Sequence, residues 1–168
     1  MITATAINYD ALTTSECKEA IDRIFASAQT SNGEWLMNKD DVSIAHYGVM
    51  NNLQLRDYLM GAPTAYPLDH CITAIAKIVN ICHAKELDSY AFNTVGASFQ
   101  YEAGNTGQAL LMISEALSKQ YSLAMLINRV ILGGAPSNLF ALMRGELHAK
   151  VVDNLADDCD KLANEDNR

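Results

Sequence analysis

Proline is scarce in this sequence, with three residues among 168. Together with abundant Leu, Ile, Val and Phe, this scarcity argues against a disordered chain. No apolar run approaches the roughly 18 residues that span a bilayer. The N-terminal segment also lacks the basic start and apolar core of a secretory signal. We therefore expect a soluble protein of the cytoplasm.

Basic side chains are also few, at 12 against 20 acidic ones, for a formal net charge of −8. The excess lies at the two ends, since residues 1–60 and 146–168 each carry a net charge of −4 and residues 61–145 are neutral. Such a chain repels phosphate, so we expect no direct contact with nucleic acid. The acidity serves solubility.

Cysteine pairs with metal-binding spacing are missing. Cys17, Cys71 and Cys82 fall at apolar positions of predicted helices, and with Cys159 we expect them to be free thiols. His70-Cys71 and Cys82-His83 lie about 16 Å apart along one helix, too far to share a zinc ion. No catalytic or nucleotide-loop motif is present either. The sequence therefore predicts no catalytic residues, no metal and no cofactor.

What is present is apolar periodicity at spacings of three and four, typical of helices. Thr13 and Glu16 form the pattern of a capping box, which predicts a helix over 13–29. Its apolar stripe comprises Cys17, Ala20, Ile21, Ile24, Phe25 and Ala28. Trp35 and Leu36 follow in the connection, where we expect the tryptophan to anchor the core.

The next helix is expected to start at a cap formed by Asp40 or Asp41. Its buried stripe would be Val42, Ala45, Val49 and Leu53. Asn51-Asn52 should interrupt it before a short piece over 53–60, which ends at Gly61-Ala62-Pro63.

Pro67 suits the first turn of a third helix, which carries apolar residues on two sides and should be the central one. Further helices are predicted over 87–103, 106–119 and 121–132, and a last one begins near Ser137 as N-cap. The fold class is therefore all-α, a compact bundle of about six to seven helices. The predicted organisation is an N-terminal arm over 1–12, one helical domain over 13–156 and an acidic, frayed tail over 157–168.

Residues 93–126 have the pattern of a helix, a tight turn and a second helix. The turn is formed by Gly104, Asn105, Thr106 and Gly107, of which Gly104 can adopt the left-handed conformation and Asn105 or Thr106 can cap the next helix. Small residues occur where the two helices must approach closely, at Ala97, Ala103, Ala109 and Ala116. The pattern resembles one tetratricopeptide-type hairpin, although Tyr121 replaces the usual proline. No second copy follows at the roughly 34-residue period of such arrays.

A wider resemblance covers roughly residues 40–137. It rests on the Gly104 turn, an Ala-Leu pair, a Tyr-x-Leu-Ala segment and a Gly-x-Pro stop in that order, here at 104–107, 116–117, 121–124 and 134–136. Leu55-Arg56-Asp57 resembles an upstream Val-Arg-Asp triplet. The chain thus resembles the actinobacterial family called domain of unknown function 4192. That family's name supplies no activity, and its members are usually longer, which indicates a bacteriophage-encoded or trimmed copy.

Candidate binding residues are His46, Tyr47, Arg56 and Asp57. Neighbouring helical residues point about 100° apart, so we expect Arg56 to pair with a carboxylate of another helix. A pocket lined by these four, between the predicted helices at 40–60 and 106–119, would indicate a small-ligand-binding protein or an enzyme. The leading hypothesis is a small protein-interaction module or accessory regulator with a protein partner. A large exposed apolar face on the helix over 137–156 would favour a self-associating structural protein instead.

Overall fold

The structure is a computed structural model that describes residues 7–27 and 36–165, with side chains up to residue 156. Within these ranges all regular structure is helical and no strand occurs, which confirms the predicted all-α class. The described residues form eight α-helices, near the predicted six to seven: α1 (Thr14–Ala26), α2 (Lys39–Asn51), α3 (Leu53–Met60), α4 (Leu68–Ala84), α5 (Tyr90–Glu102), α6 (Thr106–Ser118), α7 (Ser122–Leu132) and α8 (Leu139–Glu165). Single 3₁₀ turns lie at Tyr9–Ala11 and Ala62–Thr64. Ala28 and Trp35 lie outside the described residues.

Side-chain caps fix the first three helices. The predicted capping box of α1 is confirmed, because the Thr13 hydroxyl accepts from the Glu16 amide and the Glu16 carboxylate accepts from the Thr13 amide. The predicted cap of α2 is wrong. Asn38 accepts from the amide of Asp40 at 2.8 Å, so Asp40 lies inside the first turn, where its charge suits the helix dipole. Asn52 caps α3 and so creates the predicted break after α2.

Four consecutive helices, α4 to α7, end in the same way. In each, one residue after the helix adopts a positive φ, and the next amide reaches back to the last turn. At the end of α5 Gly104 has φ of +84°, and the amide of Asn105 donates to the carbonyl of Gln100 at 2.8 Å, which is a Schellman motif. The residues at the other three ends are Glu86, Gln120 and Gly134. The left-handed conformation predicted for Gly104 is therefore confirmed.

The most enclosed element is α5, and not the third predicted helix as expected. Nearly every side of α5 is buried, including a continuous run over residues 94–99. α4, which begins one residue after Pro67, packs against α5 but retains exposed positions at Ala76 and Lys77. Gly96, Ala97 and Ser98 have small side chains, so neighbouring helices can pack against α5 on several sides.

The hairpin of α5 and α6 makes the most extensive contact between two helices in the described part of the chain. Ala97, Ala109 and Ala116 are fully buried, as predicted, and a methyl group at Gly96 would lie 2.6 Å from Met112 Cε. The prediction fails for Ala103, which is exposed because it follows the end of α5.

The start and the length of α8 differ from expectation. It begins at Leu139 rather than immediately after Ser137, and its backbone continues past residue 156 to Glu165. α8 crosses α1, α3 and α5 and contributes the buried Phe140 and Leu155 to a core that draws on every helix. Leu53, expected in the stripe of α2, instead begins α3 and is 65% exposed.

Candidate functional site

An open groove lies between α3, α5, α7 and α8 and encloses about 250 Å³. Its walls are apolar, formed by Met60, Leu123, Leu126, Phe140, Met143, Leu147 and Val151. Polar groups are fewer, and they come from Arg56, Asp57, Ser98, Arg144 and His148. The groove therefore offers an apolar surface with a small number of hydrogen-bonding groups, the usual composition of a binding site.

The rim of the groove leaves large apolar side chains in water. Leu126 of α7 is 48% exposed, and Met143 and Leu147 of α8 are 39% and 45% exposed. Met143, Leu147 and Val151 recur every four residues, so they form one stripe along α8. Apolar side chains gathered beside a groove mark an interaction site more often than isolated ones do.

Arg56 lies in the wall of the groove, where its side chain is 12% exposed. Its Nε and Nη2 donate to Oδ1 of Asp57 at 2.9 and 2.7 Å. Our expectation that Arg56 pairs with another helix was wrong, because the long guanidinium side chain folds back to its own neighbour. Burial lowers the pKa of Arg56, but hydrogen bonds with Asp57 and Tyr121 outweigh it, so the pKa rises and the charge is retained.

A second arginine of the groove, Arg144 on α8, forms a buried ion pair with Glu102 at the end of α5. The two side chains are 8% and 14% exposed, and Nη1 and Nη2 of Arg144 donate to the same Oε2 of Glu102. This pair ties α8 to α5. The Tyr101 hydroxyl also donates to the carbonyl of Ala135, which fixes the link that leads into α8.

His148, one turn after Arg144, is packed without a complete set of hydrogen bonds. Its ring stacks on Tyr58 with 5.7 Å between centroids, and its Nδ1 is buried with no hydrogen-bond partner. Burial, with a smaller contribution from Arg144, lowers the pKa of His148 and favours the neutral ring. The ring fits only because residue 61 is glycine, since a Cβ there would lie 1.9 Å from Nδ1.

A smaller cavity of about 130 Å³ also has His148 in its wall. It is enclosed by α1, by α3 and by the segment that leads to Tyr66. Gly61 and His148 line both cavities. Tyr58 donates to Asp22 at 2.6 Å on the side of the smaller cavity, and Lys18 lies over the Tyr58 ring at 4.7 Å.

The other two candidate binding residues lie elsewhere. His46 bonds through Nε2 to the carbonyl of Asp88 at 2.8 Å and stacks on Phe92, so it joins α2 to the start of α5. Tyr47 packs against Tyr9. The structure thus brings Arg56 and Asp57 into a cavity without His46 and Tyr47. The cavity is bounded by α3, α5, α7 and α8, and not by the helix over 106–119.

The turn residues differ in their roles. Asn105 occupies the N-cap position of α6, but its side chain donates to Gln100 and makes no capping bond. Gly107 has open space around the place of a Cβ. Of the turn candidates, only Gly104 adopts a conformation that favours glycine.

The thiols lie in the core. Cys17, Cys71 and Cys82 are free and buried, and burial raises the pKa of Cys71 to about 12 and that of Cys82 to about 11. Cys159 falls outside the described side chains. His70 bonds to the carbonyl of Phe25, and His83 to the hydroxyl of Ser89. Over the described residues, no group of three potential metal ligands comes together.

Sequence reasoning missed the C-terminal half of the site. None of Leu126, Met143, Arg144, Leu147 and His148 is singled out from the sequence as a binding residue. The one available signal was the four-residue spacing of Phe140, Arg144 and His148, which places the two polar side chains on the same side of the helix as an apolar one.

Comparisons with protein-family models, curated proteins and solved structures find no match to this chain. The resemblance to domain of unknown function 4192 therefore stays a prediction. Across the described part of the chain, no helix is both long and apolar enough to cross a bilayer.

Proposed function

We propose that the protein is a protein-interaction module, and that the groove between α3, α5, α7 and α8 receives the apolar face of a helix from its partner. The observation that supports this most is the stripe of half-exposed apolar side chains along α8, opposite Leu126 of α7. A stripe with a four-residue repeat complements a second helix with apolar residues at the same spacing.

The partner's helix would extend beyond the groove. Leu142 of α8 and Leu132 of α7 do not line the groove but are 60% and 71% exposed, and we expect them to contact the partner outside its walls. We place the protein in the cytoplasm, as an accessory regulator that is bacteriophage-encoded in an actinobacterial host. This placement follows the family resemblance and the acidic composition, and it names no specific partner.

The direct test is capture of partners from an actinobacterial lysate by three forms of the protein. The variant Leu126→Ser removes an apolar rim residue of the groove, and Leu111→Ser is the matched control, because Leu111 is 70% exposed on α6 and away from the groove. We expect a partner retained by the wild type and by Leu111→Ser but lost by Leu126→Ser. Equal retention by all three, or no retained partner in several hosts, would contradict the proposal.

Self-association through the same face is the other outcome that the experiment must separate. Sedimentation velocity over a range of concentrations should show a monomer if the groove is reserved for a partner. A dimer that dissociates in Leu126→Ser but not in Leu111→Ser would favour a self-associating structural protein.

A second candidate function is binding of a small ligand, and one observation favours it. Arg56 and Asp57, which the sequence singled out, do line a cavity, and its volume approaches the lower end of ordinary ligand pockets, roughly 300 Å³. The polar groups of this cavity determine which ligand it would accept.

A further inference from the structure

The described residues that line the groove include three charged side chains, and these differ in how far they reach water. Arg144 is 8% exposed, and Glu102 already compensates its charge. Arg56 is 12% exposed, whereas the side chain of its partner Asp57 is 43% exposed. Of these three charges, the one that a molecule entering the groove meets is therefore the negative charge of Asp57.

Asp57 also keeps hydrogen-bonding capacity although it is paired. Both N–H groups that Arg56 donates reach the same oxygen, Oδ1. Within the described part of the chain nothing donates to the other oxygen, Oδ2. A carboxylate offers roughly four lone-pair sites, so Asp57 can accept a further charged donor without losing Arg56.

The other exposed charges of α7 and α8 do not line the groove, and they are of both signs. Among the described side chains of these two helices they are Arg129, Glu146, Lys150 and Asp153. They therefore leave the sign of the local field to Asp57. The net charge of −8 over the whole chain has the same sign and attracts a cationic partner over a longer distance.

We propose that the helix received by the groove is a basic amphipathic one, in which a lysine or arginine beside the apolar stripe pairs with Asp57. This inference rests on the proposed protein-interaction function and deepens it by naming the chemistry of the partner. The apolar stripe packs against Leu126 of α7 and Leu147 of α8, and the cation donates to Oδ2 of Asp57 on the α3 side. A helix without a cation there removes water from Oδ2 and returns no donor, so it binds less tightly.

The test is calorimetric titration of the intact chain with three synthetic peptides of about 18 residues, a length at which isolated helices form. The peptides share one leucine face and differ only at the positions that flank this face, which carry lysine, glutamine or glutamate. We expect the lysine peptide to bind about tenfold more tightly than the glutamine peptide, and the glutamate peptide to bind most weakly. Equal affinities, or a preference for the glutamate peptide, would overturn the proposal.

Substitution of Asp57 tests where the cation binds. In Asp57→Asn the lysine and glutamine peptides should bind equally, whereas Asp57→Glu keeps the charge and should keep the preference. The amide oxygen of the asparagine still accepts from Arg56, and thermal unfolding verifies that the variant folds. The matched control is Asp69→Asn, which removes one negative charge from an exposed position of α4 outside the groove. An equal loss of preference in Asp57→Asn and Asp69→Asn would show that net charge alone attracts the peptide, and would refute the pairing with Asp57.

A second location test leaves the pair of Arg56 and Asp57 intact. Leu126→Ser should weaken binding of the lysine peptide, and Leu111→Ser should not. Equal binding of the lysine peptide by these two variants would place it outside the groove and overturn the proposal.

Failure of this inference and failure of the proposed function give different results. Three peptides that bind equally, and all more weakly to Leu126→Ser, would refute the basic partner but retain the groove as a helix-binding site. If no peptide binds to the folded wild type, the basic-helix inference fails. Lysate capture by the Leu126 and Leu111 variants then still decides the protein-interaction function independently.

Discussion

The hairpin of α5 and α6 and the groove beside α8 bury apolar surface to very different degrees. In the hairpin, small residues let two helices meet closely, and Ala97, Ala109 and Ala116 are fully buried. Along the groove, Leu126 and Leu147 remain about half exposed although larger side chains would gain more from burial. Both regions have the apolar periodicity of core helices, so periodicity alone does not show which faces find a partner within the chain.

The difference in burial arises from the size of the side chains that the helices carry. Small residues in α5 allow neighbours on all sides, whereas Arg144 and His148 of α8 contact Glu102 of α5 and Tyr58 of α3. An ion pair and a stacked ring thus fill part of the space between helices but leave an opening. We therefore expect substitutions in the hairpin to affect stability and substitutions on the groove rim to affect binding.

The largest expected contrast compares Phe99→Ala in α5 with Leu126→Ala in α7. Phe99 is 1% exposed, and its truncation should lower the free energy of unfolding by about 3–5 kcal/mol. Leu126 is 48% exposed, and its truncation should change that free energy by no more than about 0.5 kcal/mol. Urea denaturation of both variants measures the difference, and similar losses would remove the distinction between the two regions.

A smaller loss of stability is expected at Gly61, which packs tightly against the His148 ring in the wall of the groove. Gly61→Ala places a methyl group 1.9 Å from the His148 ring, which should cost about 1–3 kcal/mol of stability. The backbone is not the cause, since Gly61 has φ of −78°, which any residue adopts. The same substitution made in a His148→Ala background should cost much less. A double-mutant cycle with no coupling would show that the ring does not occupy this space.

A still smaller effect should appear at the left-handed helix ends. Gly104→Ala should destabilise by about 1 kcal/mol, because a side chain at φ of +84° is strained. Glu86→Gly and Gln120→Gly, at φ of 55° and 56°, should instead stabilise by up to about 1 kcal/mol. Thermal unfolding can rank all three. Destabilisation by both glycine substitutions would indicate that side-chain contacts outweigh backbone strain there.

The pH dependence of stability should carry a modest contribution from His148. Burial lowers its pKa in the folded protein, so the unfolded chain binds the proton more strongly. Stability is therefore fully present above the ordinary histidine pKa of about 6.5 and decreases as pH falls through the lowered value. His148→Phe can keep the stacking on Tyr58 but cannot bind a proton. The free energy of unfolding of this variant should therefore decrease less between pH 7 and pH 5 than that of the wild type. Identical dependence of the unfolding free energy on pH in the wild type and in His148→Phe would contradict this contribution of His148.

Local signals made some helix boundaries predictable, although not those of α2 and α8. The capping box at Thr13 and the left-handed glycine at 104 depend on residues a few positions apart, and both are present as predicted. The central position of α5 was not predictable in this way, because Thr94 and Ser98 make its sequence less apolar than that of α4. Their hydroxyls bond to carbonyls of the same helix and so can be buried at low cost.

The candidate site was predicted only in part, because its residues are distant in sequence. Arg56 and Asp57 were identified from a local motif, whereas Arg144 and His148 reach them only through the docking of α8 onto α3. His46 and Tyr47 do not line the groove. His46 lies at the contact between α2 and the start of α5, and Tyr47 packs against Tyr9 of the N-terminal turn. No periodicity in the sequence encodes which helix docks on which.

The docking of α8 also affects how the chain folds during its synthesis. Phe140 and Leu155 complete a core whose other members lie mostly in helices made earlier, including α1. On the ribosome, the apolar surface that Phe140 and Leu155 cover in the folded protein stays exposed until α8 has been synthesised. During that interval the uncovered surface is available to chaperones and proteases.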